Sequence, residues 1–300
     1  MKLKNLFKGK DKYKELVNLI NAQTDLLYKI AFDCYTNTND KTKDLKNVLD
    51  FYGGIHEKRF YEIKELLYST IVNTRAAQVH PQTFGPYKNK HKGQDVVLIC
   101  GGPSVKEFEP IDNAVYAAVN NSCQYDKVKF DYIFLQELHE VSSKNEAVNN
   151  YEYENCTKFY GIIPEKRLNG LYPSCRLIPQ SDIDKSNIKL FFLDDRIANT
   201  FAYDLSIEPL GDFGGTAFSA IQFLLWTNPE RIYLVGADCD NSKNIFYNQK
   251  ESIDYSAQIQ YWQRLKQFAD DIYPSTEIIS VNPVGLKGLF KDYYTEKGRC

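Results

Sequence analysis

The residues able to do chemistry gather in short polar turns beside apolar runs. Asp95–Cys100 (DVVLIC) is followed by Gly101-Gly102-Pro103-Ser104. Ala114–Val119 (AVYAAV) leads into Asn120-Asn121-Ser122, and Tyr132–Leu135 into Gln136, Glu137 and His139. Arg231–Val235 (RIYLV) leads into Gly236-Ala237-Asp238-Cys239-Asp240, and Asp212-Phe213-Gly214-Gly215-Thr216 precedes a second apolar stretch. Glycine lets backbone approach a ligand with no Cβ in the way. N–H groups exposed where a helix starts suit a phosphate, so Gly214, Gly215 and Thr216 are candidates for holding one. Ser104 can cap the segment behind it, while Asn120, Asn121 and Gln136 offer donors and acceptors without charge. Asp212, Asp240 and His139, with Glu137 behind them, are candidates to take the proton of an attacking hydroxyl. Tyr247 or Tyr255, together with Gly215 and Thr216, could stabilise a departing phosphate. Asp238-Cys239-Asp240 sets two hard oxygen ligands one residue apart, an arrangement that suits Mn²⁺ or Mg²⁺ against a diphosphate. Each turn alone also fits a plain connection, since the glycine runs match neither GxGxxG nor GxxxxGK[ST].

The elements that position these turns can be read from the apolar pattern. Besides the four runs above, Phe159–Ile163, Leu190–Leu193 and Glu277–Val281 have strand character. Thr216–Trp226 is apolar nearly all round, as a buried helix would be, and Ser256–Phe268 places Ile259, Trp262, Leu265 and Phe268 on one helical face. Continuous apolar strands alternating with helices predict an α/β fold, a mostly parallel sheet with helices on both faces. In such sheets ligands bind beyond the carboxyl ends of the strands, where most of the polar turns fall. Upstream, residues 1–78 lack proline and repeat apolar residues at helical spacing (Val17, Ile20, Leu27, Ile30, Ala31; then Phe60, Ile63, Leu67, Ile71), which predicts a helical N-terminal region. Residues 79–94 carry two prolines, two glycines and several charges, which predicts a linker, and residues 95–300 form the α/β domain.

Composition narrows the function classes. The 300 residues are 25% charged and 43% hydrophobic, ordinary for a globular chain. A net charge of −2 provides no basic field for nucleic acid. Seven scattered cysteines without a CxxC point to reduced thiols rather than a disulfide framework or a zinc site. No apolar run reaches membrane-spanning or signal-peptide length, so the expected location is cytoplasmic. Residues 1–14 hold six Lys against one Asp, beside Leu3, Leu6 and Phe7. Such a segment is either a solvated tail or a peripheral contact with the inner membrane face, worth about 1 kcal/mol per Lys near anionic headgroups. The remainder of the N-terminal region equally suits a homo-oligomer contact.

In their order and spacing DVVLICGGPS, AAVNNS, GGTAFSAIQFLL and RIYLVGAD resemble the bacterial sialyltransferases and the related motility-accessory-factor flagellin glycosyltransferases, over roughly residues 95–245. The resemblance implies a Rossmann-like glycosyltransferase fold and a CMP-activated nonulosonic acid donor. It places Gly101, Gly102, Pro103 and Ser104 at the nucleotide's phosphate or ribose, and Asn120 or Asn121 on the donor. Gly215 and Thr216 would hold a phosphate or carboxylate, with Asp238 beneath the nucleotide. The chain departs from the family pattern in three ways. The asparagine between the first two loop glycines is missing. The histidine expected after the G-x-D strand has no counterpart, since His56, His80, His91 and His139 all precede it. The first leaving-group tyrosine position reads Asp240.

The expected function is therefore glycosyl transfer from a nucleotide-sugar co-substrate to a glycan, lipid-linked glycan or glycoprotein acceptor, with no further cofactor. One alternative is a UDP- or GDP-sugar enzyme using Mn²⁺ or Mg²⁺ through Asp238-Cys239-Asp240. Others are an ATP-dependent pyrophosphokinase related to the archaeal pterin enzyme, and a non-catalytic nucleotide-binding protein. Gly102→Val is expected to abolish nucleotide binding while sparing most of the fold.

Overall fold

The computed structural model describes residues 72–136, 143–162, 187–194, 200–240, 244–246 and 255–296. The chain divides into two compact units, Met1–Ile71 and Val72–Cys300. The helices expected before residue 72 and the basic segment 1–14 lie outside the described residues.

Among its described residues the second unit has nine strands: β1 (Asp95–Ile99), β2 (Val115–Val119), β3 (Tyr132–Leu135), β4 (Thr157–Ile162), β5 (Ile188–Asp194), β6 (Leu210–Gly211), β7 (Arg231–Val235), β8 (Glu277–Val281) and β9 (Lys291–Asp292). They form one sheet in the order β6-β5-β4-β3-β2-β1-β7-β8-β9. Every pairing is parallel. This is an α/β, Rossmann-like fold. Residues 72–83 form helix α1, followed by α2 (Ser143–Asn149), α3 (Thr216–Trp226), α4 (Tyr255–Ile272) and the single turn α5 (Tyr293–Glu296). The first strands step outward in one direction from β1, and β7 then returns to pair with its other edge. The order therefore reverses between β1 and β7, the point at which two strand-end loops part and open a crevice.

Alternate residues of the central strands serve two cores. Val96 and Leu98 of β1, Ala117 of β2, Phe134 of β3 and Leu234 of β7 face α3, α4 and the aromatic residues Phe84 and Tyr87. Val97, Ile99, Ala118, Ile133 and Val235 face the other way, onto Val105, Phe108, Cys123, Tyr125 and Val148. With both faces covered, β1, β2, β7 and β8 are each buried at four of five positions, which is why they read as unbroken apolar runs. In α3 every residue but Ala217 is buried. Its polar members are satisfied inside the core. Gln222 accepts the Ala202 N–H at 3.1 Å and donates to Phe218 O at 3.0 Å, and Ser219 Oγ accepts from Gln136 Nε2 at 2.7 Å. No helix among the described residues is long and apolar enough to cross a membrane.

Residues 79–94 are not a tether. Helix α1 runs through residue 83, and the segment behind it is packed into the aromatic core. Phe84 is fully buried and stacks on Phe159 with ring centres 5.6 Å apart. Its carbonyl accepts the Trp226 indole N–H at 3.0 Å. The N–H groups of Asn89 and His91 cap the end of α3 through Trp226 O and Thr227 O, at 3.1 and 3.0 Å. His80 is fully buried, linking Glu208 O at 2.8 Å to the Phe192 N–H at 2.9 Å, and burial lowers its pKa to about 4. It is a neutral core histidine at pH 7. Pro81 lies within α1, while Gly85, Pro86 and Gly93 shape the turns behind it and the aromatic rings do the packing, which composition alone does not distinguish from a linker. Two-residue strands β6 and β9 had no apolar run to announce them. They are short edge strands, which leave little backbone open to a foreign strand.

Candidate functional site

The loops leaving β1 and β7 border a small cleft of about 190 Å³ that opens to solvent. The loops after β1 and β7 form one wall. Val119, Asn120 and the starts of α3 and α4 form the other.

The first wall is a chain-to-chain fit. β1 and β7 go on pairing beyond their ends, with Cys100 N–H to Val235 O and Gly102 N–H to Gly236 O, each 2.8 Å. Asp238 is 5% exposed and turns both carboxylate oxygens onto Ser104. The Ser104 N–H donates to Oδ2 at 3.0 Å, and its hydroxyl donates to Oδ1. Burial raises the Asp238 carboxyl above the usual carboxylate range, the Ser104 bonds oppose that, and nearby Asp240 adds to it. The Asp238 carbonyl accepts the Gly285 N–H at 2.7 Å, which fixes the strand end from behind. A Cβ on Gly102 would overlap the Asp238 carboxylate and sit 2.6 Å from Gly236 O. A Cβ on Gly236, whose φ is +70°, would sit 2.8 Å from Cys100 O. These two glycines are demanded by the protein itself, so the expectation that Gly102→Val spares the fold is corrected.

The second glycine turn differs. Gly214 lies in the left-handed region at φ +71°, and its N–H donates to Asp212 Oδ1 at 2.9 Å. Asp212 thus shapes an Asx turn. Gly215 has extended backbone, and among the described residues a Cβ there would meet nothing nearer than Phe218 at 3.7 Å. Gly215 borders the cleft, and the Thr216 hydroxyl behind it donates to Asn120 Oδ1 at 3.3 Å. Asn120 is held at φ +50°, the left-handed conformation Asn tolerates. Ser122 fastens the end of β2 by donating to Ile99 O at 2.6 Å and accepting the Val119 N–H at 2.9 Å.

The cleft brings together Gly101, Gly102, Asn120, Gly215, Thr216, Asp238 and Asp240 from the expected set, with Tyr255 at the first residue of α4. Pro103, Ser104, Asn121, Gln136, Asp212 and Gly214 do not line it. Ser104 acts through Asp238, Gln136 is tied into the core by Ser219, and Asn121 is buried with its Nδ2 on Phe246 O at 3.2 Å. His139, Glu137 and Tyr247 lie outside the described residues. Sequence reasoning missed Cys100, Cys239, Asn244, Gln258 and Trp262. Gln258 had a signal, three residues after Tyr255 and so on the same helical face. Asn244 had none, because its place depends on where the chain crosses.

The two carboxylates of Asp238-Cys239-Asp240 do not make a ready metal clamp. Asp238 is occupied by Ser104, Cys239 between the two sits at φ +48°, and its thiol lies beside Trp262. Burial raises that thiol's pKa to about 12. No group of three or more His, Cys, Asp or Glu placed to hold a metal occurs among the described residues. Among the described residues lining the cleft there is no Lys, Arg or His. Positive potential comes instead from backbone N–H groups and from the N-terminal ends of α3 and α4.

No family model matches the chain, and no curated protein matches it. Among solved structures it is similar to the sialyltransferase CstII from Campylobacter jejuni, in complex with the substrate analogue CMP-3FNeuAc. The TM-score is 0.36 and the identity 11%, over 62% of this chain and 80% of that one. A likeness at that level says nothing of this chain's activity.

Proposed function

We propose that the cleft binds a nucleotide-activated sugar and that the protein is a glycosyltransferase. Its donor on this reading is a CMP-linked nonulosonic acid such as sialic acid, and its acceptor a glycan or glycoconjugate. The observation that carries the reading is the convergence of two glycine turns and two helix starts on the switch point of a parallel sheet, without a cationic side chain among the described lining residues. Such a site meets an anionic leaving group through neutral N–H donors, which suits a phosphodiester better than a diphosphate. The use of Asp238 by Ser104 also favours a metal-free donor.

In the reaction the acceptor hydroxyl attacks the anomeric carbon, the bond from that carbon to the phosphate oxygen breaks, and the nucleotide departs. Asp240 is the described carboxylate best placed to receive the hydroxyl proton, since Asp212 is spent on its turn. The N–H groups of Gly215 and Thr216 and the Tyr255 hydroxyl stabilise the departing phosphate.

The test is a thermal-shift panel of CMP, CDP, UDP, GDP and ATP, each with EDTA and with Mn²⁺. A ligand at a hundredfold its Kd stabilises by about 2.7 kcal/mol, a rise of roughly 4–5 °C for a chain of this size. A rise with CMP that survives EDTA is the expected result, and CMP-sugar turnover that Asp240→Asn removes would complete it. A rise only with UDP or GDP and Mn²⁺ would establish the metal-dependent alternative. ATP alone would indicate a pyrophosphokinase, and silence throughout would remove the nucleotide reading.

A further inference from the structure

Residues 244–246 lie across the turns that follow β1 and β2, and are fastened to both. The Ile245 N–H donates to Gly101 O at 2.9 Å, and Phe246 O accepts from Asn121 Nδ2 at 3.2 Å. Asn244 and Gly101 both line the cleft. The Asn244 oxygen Oδ1 accepts the Phe246 N–H at 2.9 Å. That bond orients the amide, because an N–H requires an oxygen opposite it. Nδ2 is then the atom set over Gly101. A Cβ at position 101 would overlap this amide, with Oδ1 at 2.6 Å and Nδ2 nearer still. Among the described residues Nδ2 has no protein partner, and the cleft wall beside it has no cation to meet a phosphoryl oxygen.

Resting on the nucleotide reading above, we propose that Asn244 binds the donor's phosphoryl oxygen through Nδ2, and that residue 101 is glycine to seat that amide. The role of Gly101 is therefore unlike that of Gly102. Gly102 is pressed by backbone and by the buried Asp238. At Gly101 the three nearest atoms all belong to the tip of one exposed side chain, Asn244, which can swing away. Gly101→Ala should leave the fold intact and displace Asn244.

The experiment measures calorimetric affinity for whichever nucleotide of the panel the wild-type chain binds, in Gly101→Ala, Asn244→Ser, the double variant and Asn244→Asp. Each of the first two should lose about tenfold in affinity, the worth of one hydrogen bond to a charged group. The double variant should lose no more than either single one, since both remove the same contact. Asn244→Asp keeps an acceptor for the Phe246 N–H, so the strap stays in place, and should lose more because a carboxylate then faces the phosphate. Wild-type binding with unchanged affinity in Asn244→Ser and Asn244→Asp, or with additive losses in the double variant, would overturn the assignment and leave the nucleotide reading standing. No nucleotide binding by the wild-type chain would overturn both.

Discussion

Two Gly-Gly turns border the same cleft and are glycine for different reasons. In Gly101-Gly102 a side chain would meet the protein itself: at 102 the buried Asp238 and Gly236 O stand in its place, and at 101 the movable tip of Asn244 does. In Gly214-Gly215 there is space. Among the described residues Gly214 is required by its left-handed backbone alone, and Gly215 meets nothing nearer than 3.7 Å. A glycine that packing explains needs no ligand to justify it. A glycine left open at the mouth of a cleft, at the start of a buried helix, is better justified by something that binds there.

The contrast is broken or sharpened by substitution, the largest effect first. Gly102→Val should unseat Asp238 and Ser104 and cost about 3 kcal/mol or more of stability, read as a lower urea midpoint. A variant as stable as wild type would remove the packing account of the first turn. Asp238→Ala should cost about 2 kcal/mol, because it leaves Ser104 unsatisfied at a buried strand end. Asp238→Asn should cost far less, since its amide can accept from the Ser104 N–H and donate to Ser104 Oγ. Because burial holds the Asp238 pKa above its unfolded value, the carboxyl's contribution is full below the ordinary carboxylate range and is lost as pH rises through the raised value. The stability of Asp238→Asn relative to wild type should therefore improve as pH rises through that window. A difference independent of pH would show that the carboxyl titrates normally.

The smallest expected effect on stability tests the second turn. Gly215→Ala should change stability by less than about 0.5 kcal/mol, since the added methyl makes only ordinary contacts. If the proposed phosphate site is right, the same change should weaken nucleotide binding about tenfold, because it adds a methyl at the helix start assigned to the phosphate. Equal nucleotide affinity in the two proteins would make the second turn a connection and nothing more.

Much of this architecture is local, and so was legible. Five-residue apolar runs such as DVVLI and RIYLV announce strands buried on both faces, and the all-apolar stretch 216–226 announces a helix with no exposed side. Parallel strands put every following turn at one edge of the sheet, so Gly101, Asn120 and Asp238 could be placed at that edge before any contact was known. The roles within those turns were not legible. Whether Asp212 faces a ligand or folds back onto Gly214, and whether Gln136 reaches the cleft or Ser219, depends on side-chain directions set by distant segments. The segment 79–94 shows the same limit, because Phe84 and His80 find their partners at Phe159, Trp226, Phe192 and Glu208. Local sequence, through the apolar period and the glycine turns, determined that this chain builds a parallel α/β sheet and sets polar loops along one edge. Only the tertiary structure decided that β7 returns beside β1. That pairing brings Ser104 onto Asp238 and Asn244 over Gly101, contacts between residues too far apart in the chain for any local pattern to encode.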